Sequence, residues 1–326
     1  MRVGPPAAAW AAFLLSFGSI AMLLAAMWRV APMHVGALLF GLPSVLALAA
    51  LFVWARRRGH VALDRAMVAG VWGGLWGTLG YDLIRIPFHL AGFNPFQPIR
   101  SYGMFVLDAP HATVWTDLAG ALYHASNGLT FGVMYAMVAT RRRWAWAILF
   151  ALLLETGAVF TPFGAVYGLR ANVTALAIAY FAHIYYGFPL GLAVNDPERL
   201  TRWVRRPRVV VATVAASVAV LAFLVGAWEP PAAARPAPGV VELGPDAIVS
   251  GWTRVPVDAP LVLQNADDAE VSWRLGGKSG TLMPGGRAEL SFGSAGMLQL
   301  VVTDRPWRSA MVAVERDGYP AEPGTR

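Results

Sequence analysis

The chain has no cysteine among its 326 residues, so disulfides and thiolate metal sites are excluded. Lysine is almost absent too. Lys278 is the single one, and the formal net charge of +7 is made almost wholly by arginine. Charged residues are only 14% of the chain, and no histidine follows His183. No nucleotide motif is present. In "GGKSG", residues 276–280, the position six before the lysine is Ser272 rather than glycine, so a hairpin turn is expected instead of a phosphate loop. What fills the chain is apolar sequence: 57% hydrophobic residues and a mean hydropathy of +0.52. That is too apolar for an ordinary soluble domain and implies a polytopic membrane protein.

A spanning helix needs roughly 20 mostly apolar residues. Seven segments qualify by eye: 7–28, 34–54, 66–90, 118–139, 144–164, 172–194 and 209–228. The expected fold class is therefore a membrane all-α bundle of seven transmembrane helices over residues 1–228, followed by a C-terminal extracytoplasmic β-sandwich. The first segment is long for the apolar part of a signal peptide, so it is read as a retained helix.

Arginines set the expected orientation. They cluster at 56–58 and 65, at 141–143, and at 199, 202, 205, 206 and 208, in alternate connections, while the other connections hold only Arg29, Arg100 and Arg170. The positive-inside rule then places the N-terminus in the cytoplasm and the region after helix seven outside. The Ala-, Arg- and Trp-rich usage suggests a GC-rich bacterium, so the expected location is a bacterial inner membrane with a periplasmic or extracellular C-terminal domain. Neither a nucleotide nor a nucleic acid is expected as a partner.

Residues 229–239, "EPPAAARPAPG", read as a semi-rigid proline-rich linker. Beyond it, "APLVLQN", "EVSWRL", "RAELSF", "MLQLVV" and "AMVAVE" are short runs separated by turn residues, the pattern of a small β-sandwich over 240–315. Residues 316–326 read as a flexible tail.

Three stretches of this region, "LVLQNADDAEVSWRL", "GTLMPGGRAELSFGSAGMLQLVV" and "TDRPWRSAMVAVE", run in the order of a plastocyanin-like domain. The region resembles the cupredoxin family over about 75 residues. The resemblance implies copper bound by two His, one Cys and usually one Met. Matched residue by residue, those positions fall at Glu270, Thr303, Pro306 and Met311, so three of the four ligands are missing. The implied domain is cupredoxin-like without its blue-copper site. It would serve as a docking or scaffold module toward other subunits of a membrane complex; an unrelated sandwich is the plain alternative.

Four ionisable residues stand inside the apolar segments. His124 and His183 share the pattern His-x-x-x-Gly-x-x-x-Gly: His124, Gly128, Gly132, and His183, Gly187, Gly191. Positions i, i+4 and i+8 lie on one helix face. Small residues there let a neighbouring helix approach closely, so each histidine points at protein. The segment before each carries an acid and then Pro-Phe: Asp82 before Pro87–Phe88, and Glu155 before Pro162–Phe163. At the α-helical rise all four fall roughly 9–16 Å below the outer ends of their segments.

Ionisable residues at such depth define a site by default. Asp82, His124, Glu155 and His183 are the expected ligands of a transition metal such as Cu, Fe or Zn, with Tyr81, Arg85 and Asn127 around them. Three alternatives stand beside this. The polar groups could form a packing network, with Arg85 neutralising Asp82 and Glu155 pairing with His183. The chain would then be a non-enzymatic subunit or assembly factor. His124 and His183 could instead be axial ligands of a haem, or the layer could carry protons. The glycines of "AGVWGGLWGTLG", residues 69–80, place the third helix at the bundle centre. The connection 91–117 is long and aromatic. With His89, Asp108 and His111 on or near it, it reads as an interfacial segment or, failing that, a lid.

Overall fold

A computed structural model of the chain describes residues 6–28, 30–91, 95–109, 113–139, 142–167, 169, 173–226, 239–245, 248–249, 252–294 and 296–315. The proline-rich stretch up to residue 238, the segment 316–326 and His111 lie outside the described residues.

The helical part runs α1 Pro6–Leu15, α2 Gly18–Met27, α3 Met33–Gly36, a π-helical turn Ala37–Gly41, α4 Leu42–Arg57, α5 Val61–Leu90, α6 Gln97–Leu107, α7 Val114–Ala139, α8 Ala145–Phe160, α9 Pro162–Val166, α10 Val173–Asn195, α11 Pro197–Val204 and α12 Pro207–Gly226. Among the described residues, three helices are long and apolar enough to cross a membrane: Met33–Arg57, Val173–Asn195 and Pro207–Val225. The pair Ala7–Leu15 and Gly18–Met27, bent by 41°, makes a fourth if it counts as one span. This corrects the expected seven. The reason lies in what each remaining helix carries. α8 has only 16 residues. α5 contains Asp64, Arg65, Asp82 and Arg85 along with five glycines, and α7 has Asp117, His124 and Asn127. These helices face protein, so their composition answers to packing rather than to hydrocarbon.

The glycines dictate that packing. α5 lies between α7 and α10. A methyl group at Gly70 or Gly74 would meet the α7 backbone at Val133 or Gly128, within 2.7 Å and 2.4 Å respectively. On another side of α5, Gly73, Gly77 and Gly80 abut Leu190, Tyr186 and Tyr185 of α10. α10 in turn lays Gly187 and Gly191 on Ala147, Ile148 and Trp144 at the start of α8. Backbones this close gain dispersion contacts that larger residues would forbid. The helix order across the bundle is thus α8, α10, α5, α7.

Residues 91–117 run from the end of α5 into the first turn of α7. Their described part contains α6, which packs along α7 with Ile99, Ser101, Tyr102, Met104 and Phe105 buried. Gly103 and Gly120 make the crossing close, because a methyl on either would run into the other helix's backbone. Arg100 pairs with Asp117 at 3.1 Å inside this contact, a buried ion pair that the sequence pattern did not flag.

The C-terminal region is a two-sheet sandwich. Its strands are β1 Val240–Leu243, β2 Ile248–Val249, β3 Trp252–Pro256, β4 Leu261–Asn265, β5 Val271–Leu275, β6 Lys278–Leu282, β7 Arg287–Leu290, β8 Gly296–Val302 and β9 Arg305–Glu315. One sheet has the order β2-β1-β4-β7 and the other β3-β9-β8-β5-β6. β1 with β4 and β3 with β9 are parallel; the other pairs are antiparallel. Alternation along β4 and β5 sends Leu261, Leu263, Val271, Trp273 and Leu275 to the core between the sheets. The "GGKSG" stretch is the β5–β6 turn and the start of β6, with Gly276 at φ 58°, a left-handed conformation that favours glycine.

The sandwich docks on the bundle. On β9, Ala310, Val312 and Val314 enter the sandwich core, so Met311 and Ala313 face the other way. Those two are buried in one apolar cluster with Met104, Phe105 and Tyr167 of the helical part. Arg254 of β3 donates to the Ala109 carbonyl at 2.9 Å and to Asp108 Oδ1 at 3.0 Å, clasping the left-handed end of α6.

Candidate functional site

The bundle brings the four predicted ionisable residues into one buried region, arranged as two pairs. Each histidine meets the acid that precedes it in sequence among these four residues. His124 Nε2 of α7 lies 3.0 Å from Asp82 Oδ1 of α5. His183 Nδ1 of α10 lies 3.5 Å from Glu155 Oε2 of α8. The aromatic ring of Tyr81 stands between the pairs, 5.7 Å from the His124 ring and 4.9 Å from the His183 ring, centre to centre. The arrangement follows from helix geometry. Tyr81 and Asp82 are neighbours on α5, about 100° apart, so they point toward the two different helices that flank it.

Arg85 completes the first pair. At i+3 from Asp82 it donates to Asp82 Oδ1 at 2.7 Å, and both side chains are almost fully buried. Its other terminal nitrogen donates to the Pro95 carbonyl at 2.8 Å. Its guanidinium stacks between Tyr81, at 4.1 Å, and Phe96, at 4.4 Å. Pro95 and Phe96 were not singled out from sequence. Both belong to the aromatic, proline-containing connection before α6, and only the fold returns that connection to Arg85.

Hydrogen bonding fixes the imidazoles. A carboxylate only accepts, so the proton between Asp82 and His124 sits on Nε2; in the neutral imidazole Nδ1 is then the lone-pair nitrogen. In His183, Nδ1 donates to the Ala179 carbonyl at 2.8 Å, one turn back along α10, which leaves Nε2 as the lone-pair nitrogen. Glu155 Oε1 is buried and has no hydrogen-bond partner among the described residues, and the same holds for Arg85 Nε. A buried carboxylate oxygen in that state is costly, and in a native structure it asks for a reason.

The remaining predicted residues lie elsewhere. Asn127 turns away toward α2, where its Oδ1 accepts from Ser19 at 2.6 Å in a cluster with Ser126, so it does not surround this site. His89 sits edge-on against Phe96 and Phe223. Asp108 is at the contact between the two domains. Among the described residues, no three His, Asp or Glu side chains are gathered as metal ligands would be. The expected four-ligand set is therefore present as two pairs separated by a tyrosine.

In the sandwich, the positions matching cupredoxin ligands do not converge on its core. Glu270 is exposed just before β5, Thr303 lies in the β8–β9 turn, Pro306 is in β9, and Met311 faces the helices.

No family model matches the chain, and no curated protein matches it. Among the solved structures that are similar to part of the chain are the following two. A purple cupredoxin from Nitrosopumilus maritimus matches over 23% of this chain and 98% of its own, at 19% identity and a TM-score of 0.21. A copper-containing nitrite reductase from Thermus scotoductus SA-01 matches over 27% of this chain and 25% of its own, at 16% identity and a TM-score of 0.23.

Proposed function

We propose that this chain is an integral membrane protein that takes up a transition-metal cation beside Tyr81, from the end of the bundle that carries the sandwich. His124, His183 and Glu155 are the ligands in this reading. Asp82 changes from ligand to orienting group, since its carboxylate is committed to His124 and Arg85. The supporting observation is the state of the imidazoles. Metal-bound histidines typically donate their second ring N–H to a carboxylate or a backbone carbonyl. Both histidines here do so, one to Asp82 and one to Ala179, and Glu155 lies 3.5 Å from His183 with its other oxygen unpartnered among the described residues. Tyr81 fills the space between the rings, so uptake requires its side chain to swing aside.

In this reading the apolar helices Met33–Arg57, Val173–Asn195 and Pro207–Val225 cross the bilayer, and α5 and α7 pack against them. The arginine clusters support an orientation with the sandwich outside a bacterial inner membrane. The sandwich covers the outer end of the bundle and has no copper role of its own.

Metal analysis of the detergent-purified protein after exposure to Zn, Cu, Fe or Mn is the test. About one equivalent of a single metal is expected, lost in His183→Ala and in Glu155→Gln and weakened about 10–100-fold in Asp82→Asn. Less than about a tenth of an equivalent, unchanged by His124→Ala with His183→Ala, refutes the reading.

A further inference from the structure

The end of the bundle away from the sandwich carries an unusual excess of one charge. Arg56, Arg57, Arg58, Arg65, Arg142, Arg143, Arg199, Arg202, Arg205, Arg206 and Arg208 come from three separate connections. The fold joins those connections around one apolar cluster that includes Ala55, Leu63, Ala139 and Leu200. All eleven arginines are exposed, and only Asp64, Asp196 and Glu198 accompany them. Among the described residues, none of the eleven is ion-paired with a carboxylate.

The surface has a built edge. α11 is a short helix between α10 and α12, capped by Asp196, whose side chain accepts from the Arg199 backbone at 2.9 Å. Leu200 anchors it in the bundle, Trp203 packs on Trp76 at 5.8 Å, and Arg199 stacks over Trp203 at 4.6 Å. Arg199, Arg202, Arg205 and Arg206 are thereby held at the start of the apolar helix Pro207–Val225. Arg56 and Arg57 stand at the end of the apolar helix Met33–Arg57 in the same way. Exposed tryptophans accompany the other clusters: Trp54 beside Arg56, and Trp144 and Trp146 beside Arg143.

From this juxtaposition we infer that the arginine end of the bundle binds the phosphate headgroups of acidic phospholipids. Three features select lipid over other anions. The arginines sit where apolar spans begin and end, which is headgroup depth. Tryptophans lie among them, as at membrane interfaces generally. Among the described residues the guanidinium groups have no carboxylate to satisfy them, and Arg matches phosphate through paired donors. The inference rests on the membrane reading of the bundle but not on the metal site.

The test uses the full-length protein in vesicles of phosphatidylcholine mixed with phosphatidylglycerol, released into the gas phase for native mass spectrometry. Preferential retention of phosphatidylglycerol is expected, by at least about tenfold. The quadruple variant R199Q/R202Q/R205Q/R206Q loses most of the preference. R142Q/R143Q, on a different connection, loses part of it. If either variant fails to fold, the unaltered protein still decides the matter, because the preference must fall steadily as salt rises. Equal retention of the two lipids, or a preference insensitive to salt, overturns the inference. So does displacement of the lipid by millimolar inorganic phosphate, which would mark a free-phosphate site, or tighter binding of a single-stranded oligonucleotide. Loss of metal binding with lipid preference intact would fault the metal reading alone.

Discussion

Substituting alanine at Gly132 tests the close helix packing that creates the site. A methyl there would lie 2.2 Å from the Gly70 carbonyl oxygen and 2.7 Å from Gly74 Cα. Real side-chain methyls essentially never approach closer than 3.0 Å, so α5 and α7 must part by close to an ångström. The obstacle is backbone, which cannot rotate away. Overpacking of this kind costs about 1–3 kcal/mol. Alanine in a helix gains about 0.5–1 kcal/mol over glycine, which offsets part of that cost. Gly157→Ala is the control, since a methyl there meets nothing within 4 Å and only the propensity gain remains. Gly128→Ala is the diagnostic third variant. Its methyl collides with Thr78 Oγ1, a side-chain atom, so adding Thr78→Ala relieves the clash. The assay is reversible unfolding in mixed micelles with increasing SDS. The expected order is Gly157→Ala at least as stable as the parent, Gly132→Ala clearly destabilised, and Gly128→Ala recovered by Thr78→Ala. If Gly132→Ala matches Gly157→Ala, the close crossing of α5 and α7 is wrong.

Asp82→Asn should destabilise by about 3–5 kcal/mol in the same assay, because it leaves the buried Arg85 guanidinium without its carboxylate, and Arg85→Gln should cost less, because His124 still meets Asp82. The double replacement should cost less than the sum of the two. Arg254→Ala should loosen the docked sandwich, by about 1 kcal/mol because Asp108 is half exposed, and should speed hydrogen exchange in α6 and β9 with no change in α10. Asn265→Ala should weaken the sandwich by about 2 kcal/mol. It removes bonds to the Ala269 and Leu282 carbonyls and to the Asp267 amide, and the loss should show in strand signals while the helical signal holds.

Much of the site was legible in the sequence, for a specific reason. The repeated His-x-x-x-Gly-x-x-x-Gly pattern reports side-chain direction, because four-residue spacing keeps the histidine on the glycine face of the helix. That face is the contact face in the structure: Gly128 and Gly132 meet α5, and Gly187 and Gly191 meet α8. The pairing of acids with histidines was less legible. Arg85 at i+3 from Asp82 is local geometry, but which way Tyr81 points depends on having a helix on each side of α5. Asn127 shows the limit. Its spacing from His124 suggested one site, yet a three-residue step on α7 is enough to turn it toward α2 and Ser19.

Composition and periodicity by themselves determined that this chain has apolar helices followed by a short-stranded region, and that its arginines fall in alternate connections. Those are properties of each segment and its solvent, so they survive without knowledge of neighbours. Only the tertiary structure decided the rest. It set the polar side chains of α5 and α7 against other helices. It turned the connection at 91–117 into a packed helix. It set Met311 toward the bundle, because a strand's two faces differ only in what the rest of the protein places against them. It left the two histidines on either side of Tyr81, because side chains from α5, α7, α8 and α10 meet only when the glycines have brought their backbones together.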